Sequence, residues 1–461
     1  MAPTSVLLLA LGAISTQTPT DSPPAATQQV NPTVTPKVED AMLAPVPPAA
    51  RAVKTWDEAL GLVRERSTDL RSAEAGVERA SGRWRQALGT LLPNARAQAA
   101  LAHDLLNPDV PFGVSPTAAG DGHTVTTPVA TFSATLTQSV VDLSAWRGLS
   151  SARAAETSAS ASLQDVRRRL TLGVARTLVA TVAAERAAEI NRVNLRRALE
   201  RSALTQRSFD LGAGNQLDVV RVNQDVAVAR GALVAGDEQL RQAREALGSA
   251  LGFGQAIGVD PSFNLQGLVD STRKDCSPLE GFDSRPDLVA AKAQVESAHE
   301  SKRQASAGYL PTLGVSSTLY GLTTEPGFGR FATWNISAVL SLPLWEGGTR
   351  EGLVRERKGV ETQAAAALES ARRDVEVEVA QARRGVEVAE ALVKTAVESR
   401  DLAEKTDQLT RRAFEVGRGS SLELVQSAAA LRQAELTLVL REFELVQARL
   451  DAFLTEARCD W

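Results

Sequence analysis

Apolar positions along this chain recur with two different periods, and the period changes at definite places. Leu163, Val166, Leu170, Val174, Leu178 and Val182 step by three or four residues, and Val375, Val379, Val386, Val393 and Val397 follow a similar helical spacing. Such spacing lays an apolar stripe along one side of a helix. Both stripes lie in proline-free blocks, one between Pro128 and Pro261 and one after Pro343, so the helices need not be interrupted. Each runs roughly 65 residues before a turn signal, a rod of about 100 Å. The rods end at matching turns, Phe209-Asp-Leu-Gly-Ala-Gly-Asn-Gln-Leu-Asp218 and Phe414-Glu-Val-Gly-Arg-Gly-Ser-Ser-Leu-Glu423. Gly212 and Gly417 are the expected left-handed helix stops, and a second helix follows each. Two long helical hairpins result, turning near 212–216 and 417–421.

Before each hairpin the period falls to two. Ala130, Phe132, Ala134 and Leu136 alternate with Thr131, Ser133, Thr135 and Thr137; Trp334, Ile336, Ala338, Leu340 and Leu342 stand opposite Asn335, Ser337 and Ser341. Ala95, Ala97, Ala99 and Leu101 alternate with Arg96 and Gln98, and Leu313, Val315 and Leu319 with Thr312, Ser316 and Thr318. Strands are therefore expected near 94–103, 129–141, 311–320 and 332–344, each long enough to cross a bilayer at a tilt. Four strands cannot close a barrel, and open edges in lipid leave backbone groups unsatisfied, so the chain must associate with further copies. The polar faces would line a wet lumen and the apolar faces would meet lipid. A soluble sandwich with one buried face gives the same alternation, but it leaves the two rods without a reason.

The two halves repeat. Ala134–Gly148 matches Ala338–Gly352 at a constant offset of 204, and Asp218 matches Glu423 at 205. Residues 51–270 form the first repeat and 285–461 the second, with 271–284 as a linker. Residues 16–50, rich in Pro, Thr, Ala and Gln, read as an unpacked tether. Residues 1–15 carry a short apolar run, Val6 to Ile14, that fits a secretory signal cut near Ser15, although no Lys or Arg precedes Lys37.

Composition adds exclusions. The chain has 461 residues, 43% of them hydrophobic and 23% charged, with a formal net charge of -4, so a large ordered core is expected and no basic surface marks a nucleic-acid partner. Its acids are assigned to solvated helix faces. His103, His123 and His299 are scattered without ligand spacing, and no nucleophile motif or phosphate loop is present, so neither a metal nor a cofactor nor an enzyme is expected. Cys276 and Cys459 could pair in an oxidising compartment or stand as two separate thiols. Phe132, Tyr320, Phe331 and Trp334 are the candidates for interfacial girdles.

Trp56-Asp-Glu-Ala-Leu60, Leu92-Pro93, Leu310-Pro311, Arg285-Pro-Asp-Leu288, Leu340-Ser-Leu-Pro-Leu-Trp-Glu-Gly-Gly348 and the two Gly-x-Gly turns give the chain its resemblance to the TolC family of outer-membrane efflux proteins, from Trp56 to Leu454. The resemblance implies an α+β membrane protein, in which long helical hairpins form a periplasmic tunnel and four strands per chain join a homotrimeric, 12-stranded outer-membrane barrel. It implies a passive export conduit in a Gram-negative-type bacterium. The conduit would work with a periplasmic adaptor and an inner-membrane pump, as in tripartite efflux or type I secretion, with its cargo unspecified. By position, the adaptor-contacting tips are Gly212, Ala213, Gly214, Asn215, Gly417, Arg418, Gly419 and Ser420. The acids matching the family's tunnel constriction are Asp218 and Glu423. Read as residues, Asn215-x-x-Asp218 and Ser420-x-x-Glu423 are also capping boxes. A further acidic position of the family is Gln426 here. The competing class is a structural coiled-coil tether, which would need neither the strands nor the duplicated tips.

Overall fold

The computed structural model describes residues 38–113, 124–212, 214–325, 332–416 and 418–461. The expected signal and most of the expected tether, together with Ala213, Gly417, His123 and Phe331, lie outside the described residues. The helices are α1 (Trp56–Arg66), α2 (Thr68–Gly89), α3 (Leu143–Asp210), α4 (Gln216–Ala250), α5 (Leu268–Asp275), α6 (Pro286–Ala307), α7 (Thr349–Glu415) and α8 (Ser421–Thr455). The strands are β1 (Ala52–Val53), β2 (Asn94–Ala102), β3 (Thr124–Val125), β4 (Val129–Val141), β5 (Gly258–Val259), β6 (Cys276–Pro278), β7 (Thr312–Leu322), β8 (Thr324–Glu325), β9 (Ala332–Ser341) and β10 (Ala457–Cys459).

Local chemistry sets the helix starts. Thr55 accepts from Glu58 N–H at 3.2 Å to begin α1, and Ser67 ends α1 while capping α2 through Leu70 N–H at 3.2 Å. Asp142 turns the end of β4 into α3 by accepting from Ala145 N–H at 2.9 Å. Pro286 occupies the first turn of α6, where its missing N–H costs nothing.

The 68-residue α3 is the axis of the molecule and packs on α2, α4, α6 and α8. Along its first half the partner is α6, running antiparallel. Ser144, Ser151 and Ser158 donate to the carbonyls of Gln304, Ser297 and Ala290 at 3.3, 2.8 and 2.9 Å, and Ser297 donates back to Ser151 O at 3.0 Å. Both sets step by seven residues. Small side chains at that spacing let the two backbones approach closely along a continuous seam. Along the second half the partner is α4, met by Thr181 at Ala243 O (3.2 Å) and by Asn191 at Ala232 O (3.2 Å).

Where these halves meet, at the midpoint of α3, the chain builds its largest core. Val174, Ala175, Leu178 and Val179 are buried there with Trp56, Leu60 and Val63 of α1, Leu247 of α4 and Leu450 of α8. A collar surrounds this core. β1 pairs with β5 in parallel, β6 pairs with β10 antiparallel, and Trp56 Nε1 donates to Asp275 Oδ2 at 2.9 Å. Cys276 and Cys459 are joined by a disulfide within the collar.

Three expectations change. Residues 271–284 are not a plain linker, because they carry the end of α5 and β6 and form part of the collar. The expected unpacked tether is packed from residue 38 onward. Met42 and Leu43 lie against the α3–α4 cluster of Leu195, Ala198, Val226, Ala229 and Leu233. Asp40 pairs with Arg230 at 2.8 Å, and Arg244 Nη1 donates to Pro47 O at 2.9 Å. Nor are the acids all on solvated faces: Asp165, Asp225, Glu300 and Asp407 are buried, each with a basic partner. Burial opposes the charge of Arg285, but Glu378 at 2.6 Å and Asp287 at 3.0 Å outweigh it and hold the guanidinium above its usual range.

Candidate pore sheet and helix tips

The main sheet has the order β2-β4-β7-β9, antiparallel throughout, so the repeats meet at its centre, between β4 and β7. Its register aligns the faces expected from alternation across all four strands. Ala99, Phe132 and Gly321 form one row; Ala97, Ala134, Leu319 and Trp334 form the next. On the other face Arg96, Thr135, Thr318 and Asn335 line up, with Thr135 and Thr318 hydroxyls 3.4 Å apart and Ser316 and Ser337 hydroxyls 2.7 Å apart. The one hydroxyl in the middle of the apolar face, on Ser317, is covered by Trp334, whose Nε1 donates to it at 2.8 Å. A one-residue slip at any ladder would mix these faces.

Among the described residues, β2 and β9 each pair on one side only, and no helix is long and apolar enough to cross a membrane. Exposed aromatic residues mark both ends of the sheet. Trp334 and Phe132 lie toward the β2–β4 and β7–β9 loops, while Trp146 and Trp345 lie at the helical end. The second pair was missed in the sequence because both residues fall outside the alternating runs.

At the far end of the rods, the first hairpin reverses through Gly212 at φ +75°, as its stop signal requires. The second glycine of each Gly-x-Gly is needed for another reason. A Cβ on Gly214 would come within 2.9 Å of Phe209 N, and one on Gly419 within 2.9 Å of Phe414 N, so only glycine lets the chain close over the helix end. Arg418 and Gly419 N–H groups both reach Ala413 O, at 2.8 and 3.0 Å.

The two tips are finished differently. Ser420 and Glu423 form the full reciprocal capping box. The first tip does not, contrary to the expectation of matched boxes. Asn215 accepts from Leu217 N–H, and the Asp218 carboxylate accepts instead from the hydroxyl of Ser421 on the other hairpin. Arg221 joins the same group, 3.8 Å from Asp218 and 3.4 Å from Ser421 Oγ. Asp218 thus bridges the two hairpins, whereas Glu423 closes on its own helix.

Further up the seam sits a residue that sequence reasoning passed over. Asp225, 4% exposed, receives Arg201 from α3 at 2.6 Å and Arg432 from α8 at 3.1 Å. Arg197 and Glu435 add a further pair at 3.1 Å, and Ser427 donates to buried Asp407 at 3.2 Å. A cleft of about 390 Å³ opens beside them, lined by Asn194, Asp407, Arg412 and Leu431 among others. The contacts between the two hairpins near their tips are thus charge and hydroxyl groups, while apolar packing holds the first hairpin and the collar.

Residues 59–253 and 282–451 match the family model described as "Outer membrane efflux protein". The chain is 25% identical over 260 residues to the outer membrane protein TolC of Salmonella enteritidis, covering 52% of this chain and 51% of that protein. It is 25% identical over 153 residues to the fusaric acid resistance protein FusA of Burkholderia cepacia, covering 32% and 28%. The chain thus spans about half the length of the curated TolC relative it matches. Its fold is that of the outer membrane protein VceC of Vibrio cholerae, with a TM-score of 0.73 at 16% identity over 87% of this chain and 95% of that one. It is also that of the CmeC outer membrane channel of Campylobacter jejuni, with a TM-score of 0.72 at 13% identity over 87% and 84%. Carried by a match over most of its length, the chain belongs to the outer membrane efflux protein family.

Proposed function

We propose that this chain is one subunit of a homotrimeric export channel, with its sheet in an outer membrane and its helical hairpins in the periplasm. The observation that carries this reading is the sheet: four strands with aligned polar and apolar faces and two open edges, set on rods of about 100 Å. Three copies joined β9 to β2 would close a twelve-stranded barrel, satisfy every edge and turn the Arg96, Thr135, Thr318 and Asn335 rows toward water. The chain itself performs no chemistry in this role. It offers a path whose direction and cargo are set by an inner-membrane pump and a periplasmic adaptor, and it takes no cofactor.

In this reading Gly212 to Asn215 and Gly417 to Ser420 are the surfaces that meet the adaptor. The path is closed where the tips converge, and Asp218 and Glu423 are the gate acids. Their different bonding gives them different parts. Asp218, tied to Ser421 and Arg221, holds the two hairpins together, and Glu423 fixes the start of α8. Single-channel recording in a planar bilayer tests both levels. Purified protein should form cation-preferring pores, and Asp218→Ala should raise conductance more than Glu423→Ala. Protein that remains monomeric in detergent and makes no pores would overturn the channel, while unchanged conductance in Asp218→Ala would overturn the gate.

A further inference from the structure

Cys276 and Cys459 stand directly opposite each other in the β6–β10 ladder and are covalently joined. The ladder is only three residue pairs long, and a two-stranded ribbon of that size does not persist unaided. The two cysteines are 2% and 0% exposed, buried with Leu172, Leu454 and Ala457 and covered by Phe453 and Trp461. A sequence separation of 183 residues lies between them, so α6, β7, β9, α7 and α8 are all enclosed in one covalent ring. The ring is fastened to the rest of the molecule at the same place. Trp461 Nε1 donates to Thr171 Oγ1 of α3 at 2.8 Å, and Asp460 N–H reaches Asp275 O at 3.3 Å.

We propose that this disulfide is a clasp closed after export, and that stable assembly of the channel waits on its oxidation. The proposal rests on the export reading above, since such bonds persist in oxidising compartments and are kept reduced in the cytosol. The oxidant is a dithiol oxidoreductase in its disulfide form. Cys276, which leaves the cytosol before Cys459 in N-to-C order, attacks one oxidoreductase sulfur as a thiolate. A mixed disulfide forms and the enzyme's other sulfur departs as a thiolate. Cys459 thiolate then attacks the Cys276 sulfur, making the intrachain bond and expelling the first enzyme sulfur. The chain's two thiols lose two electrons and two protons; the oxidoreductase gains both and is released as a dithiol. Because the second thiol sits in β10, the bond cannot close until α6, β7, β9, α7 and α8 have been delivered and β10 has docked on β6. Closure therefore marks delivery of the second repeat.

The test expresses the full chain in a Gram-negative host with and without its periplasmic thiol oxidoreductase. Outer membranes are isolated, and free thiols are trapped in denaturant with a maleimide-linked polyethylene glycol. Wild-type protein from the intact host should take no label unless reduced first, and then two, and should run as a heat-resistant oligomer. The deficient host should lose that oligomer, and cystine in the medium should restore it. Cys276→Ala/Cys459→Ala should lack it in both hosts with no rescue by cystine, and Cys459→Ala should accumulate a mixed disulfide on Cys276. Outer-membrane protein with two free thiols and an intact heat-resistant oligomer would overturn the clasp, as would a double alanine variant with wild-type heat resistance. A wild-type chain that never reaches the outer membrane would overturn the export reading instead, and the clasp with it.

Discussion

Helices α3 and α7 are the same element in the two repeats, 68 and 67 residues long, yet 18 residues of α3 are buried against five of α7. The difference is one of position. α3 is surrounded by α2, α4, α6 and α8, whereas α7 packs chiefly on α6 and α8 and leaves Val377, Val388, Val397, Leu402 and Leu409 exposed. Duplicated sequences have thus been fitted to two neighbourhoods, a centre and an edge. Exposed apolar residues repeated along a rod suit a contact surface, such as the one the proposed ring requires. On the opposite side of the molecule, α4 shows Val220, Val228 and Val234 to solvent and β2 carries an unpaired edge. In the proposed ring, these two sides of successive copies meet.

The comparison can be broken most strongly at its centre. Asp225→Ala would leave Arg201 and Arg432 facing each other in a buried site, and losing one partner of such a set costs about 3–5 kcal/mol; the melting temperature of the detergent-solubilised protein measures it. Leu178→Ala, at a fully buried site of α3, should cost about 2–5 kcal/mol. Leu402→Ala on α7 should cost under about 0.5 kcal/mol in an isolated subunit; equal losses would show that edge and centre are not distinct. Val388→Glu/Leu402→Glu should leave helix content unchanged and abolish the oligomer in sedimentation. At the tips, Ser420→Ala should destabilise the start of α8 by about 1 kcal/mol, read as faster amide exchange there and not at Gln216.

The smallest effect is one of pH. Glu361 on α7 is held below its ordinary 4.5 by Lys302 at 2.6 Å and then by His299 at 2.7 Å, both on α6. A carboxylate with a depressed folded-state value stabilises the fold above its unfolded value and loses that contribution as pH falls through the folded one. Amide exchange at the α6–α7 seam should therefore quicken below about pH 4.5, and Glu361→Gln should abolish the dependence.

The four strands of the main sheet and the two hairpins were legible because each spans enough residues for a period to declare itself. The expected starts of 94, 129 and 332 coincide with those of β2, β4 and β9, and the 311 start lies one residue from β7. The collar was not legible, since its strands of two or three residues carry no period and are held by partners at least 179 residues away. Serine hid the α3–α6 seam: Ser144, Ser151 and Ser158 repeat at seven but look polar in any apolar count. Asp225 was lost for the same kind of reason, because an acid in a helix looks solvated until two arginines from distant segments converge on it. Composition misread residues 38–50, where two apolar side chains and one aspartate suffice to anchor a Pro- and Ala-rich stretch.

One consequence follows from where the repeats join. The β4–β7 ladder lies within a single chain, so of six hairpin-to-hairpin junctions around the proposed three-copy barrel, only the three between β9 and β2 have to be found by diffusion. The others form at the effective concentrations of linked segments, on the order of millimolar. Duplication of the hairpin here reduces a six-body encounter to a three-body one, and it leaves the main sheet of each newcomer with two raw edges, β2 and β9, to shield before it meets its neighbours.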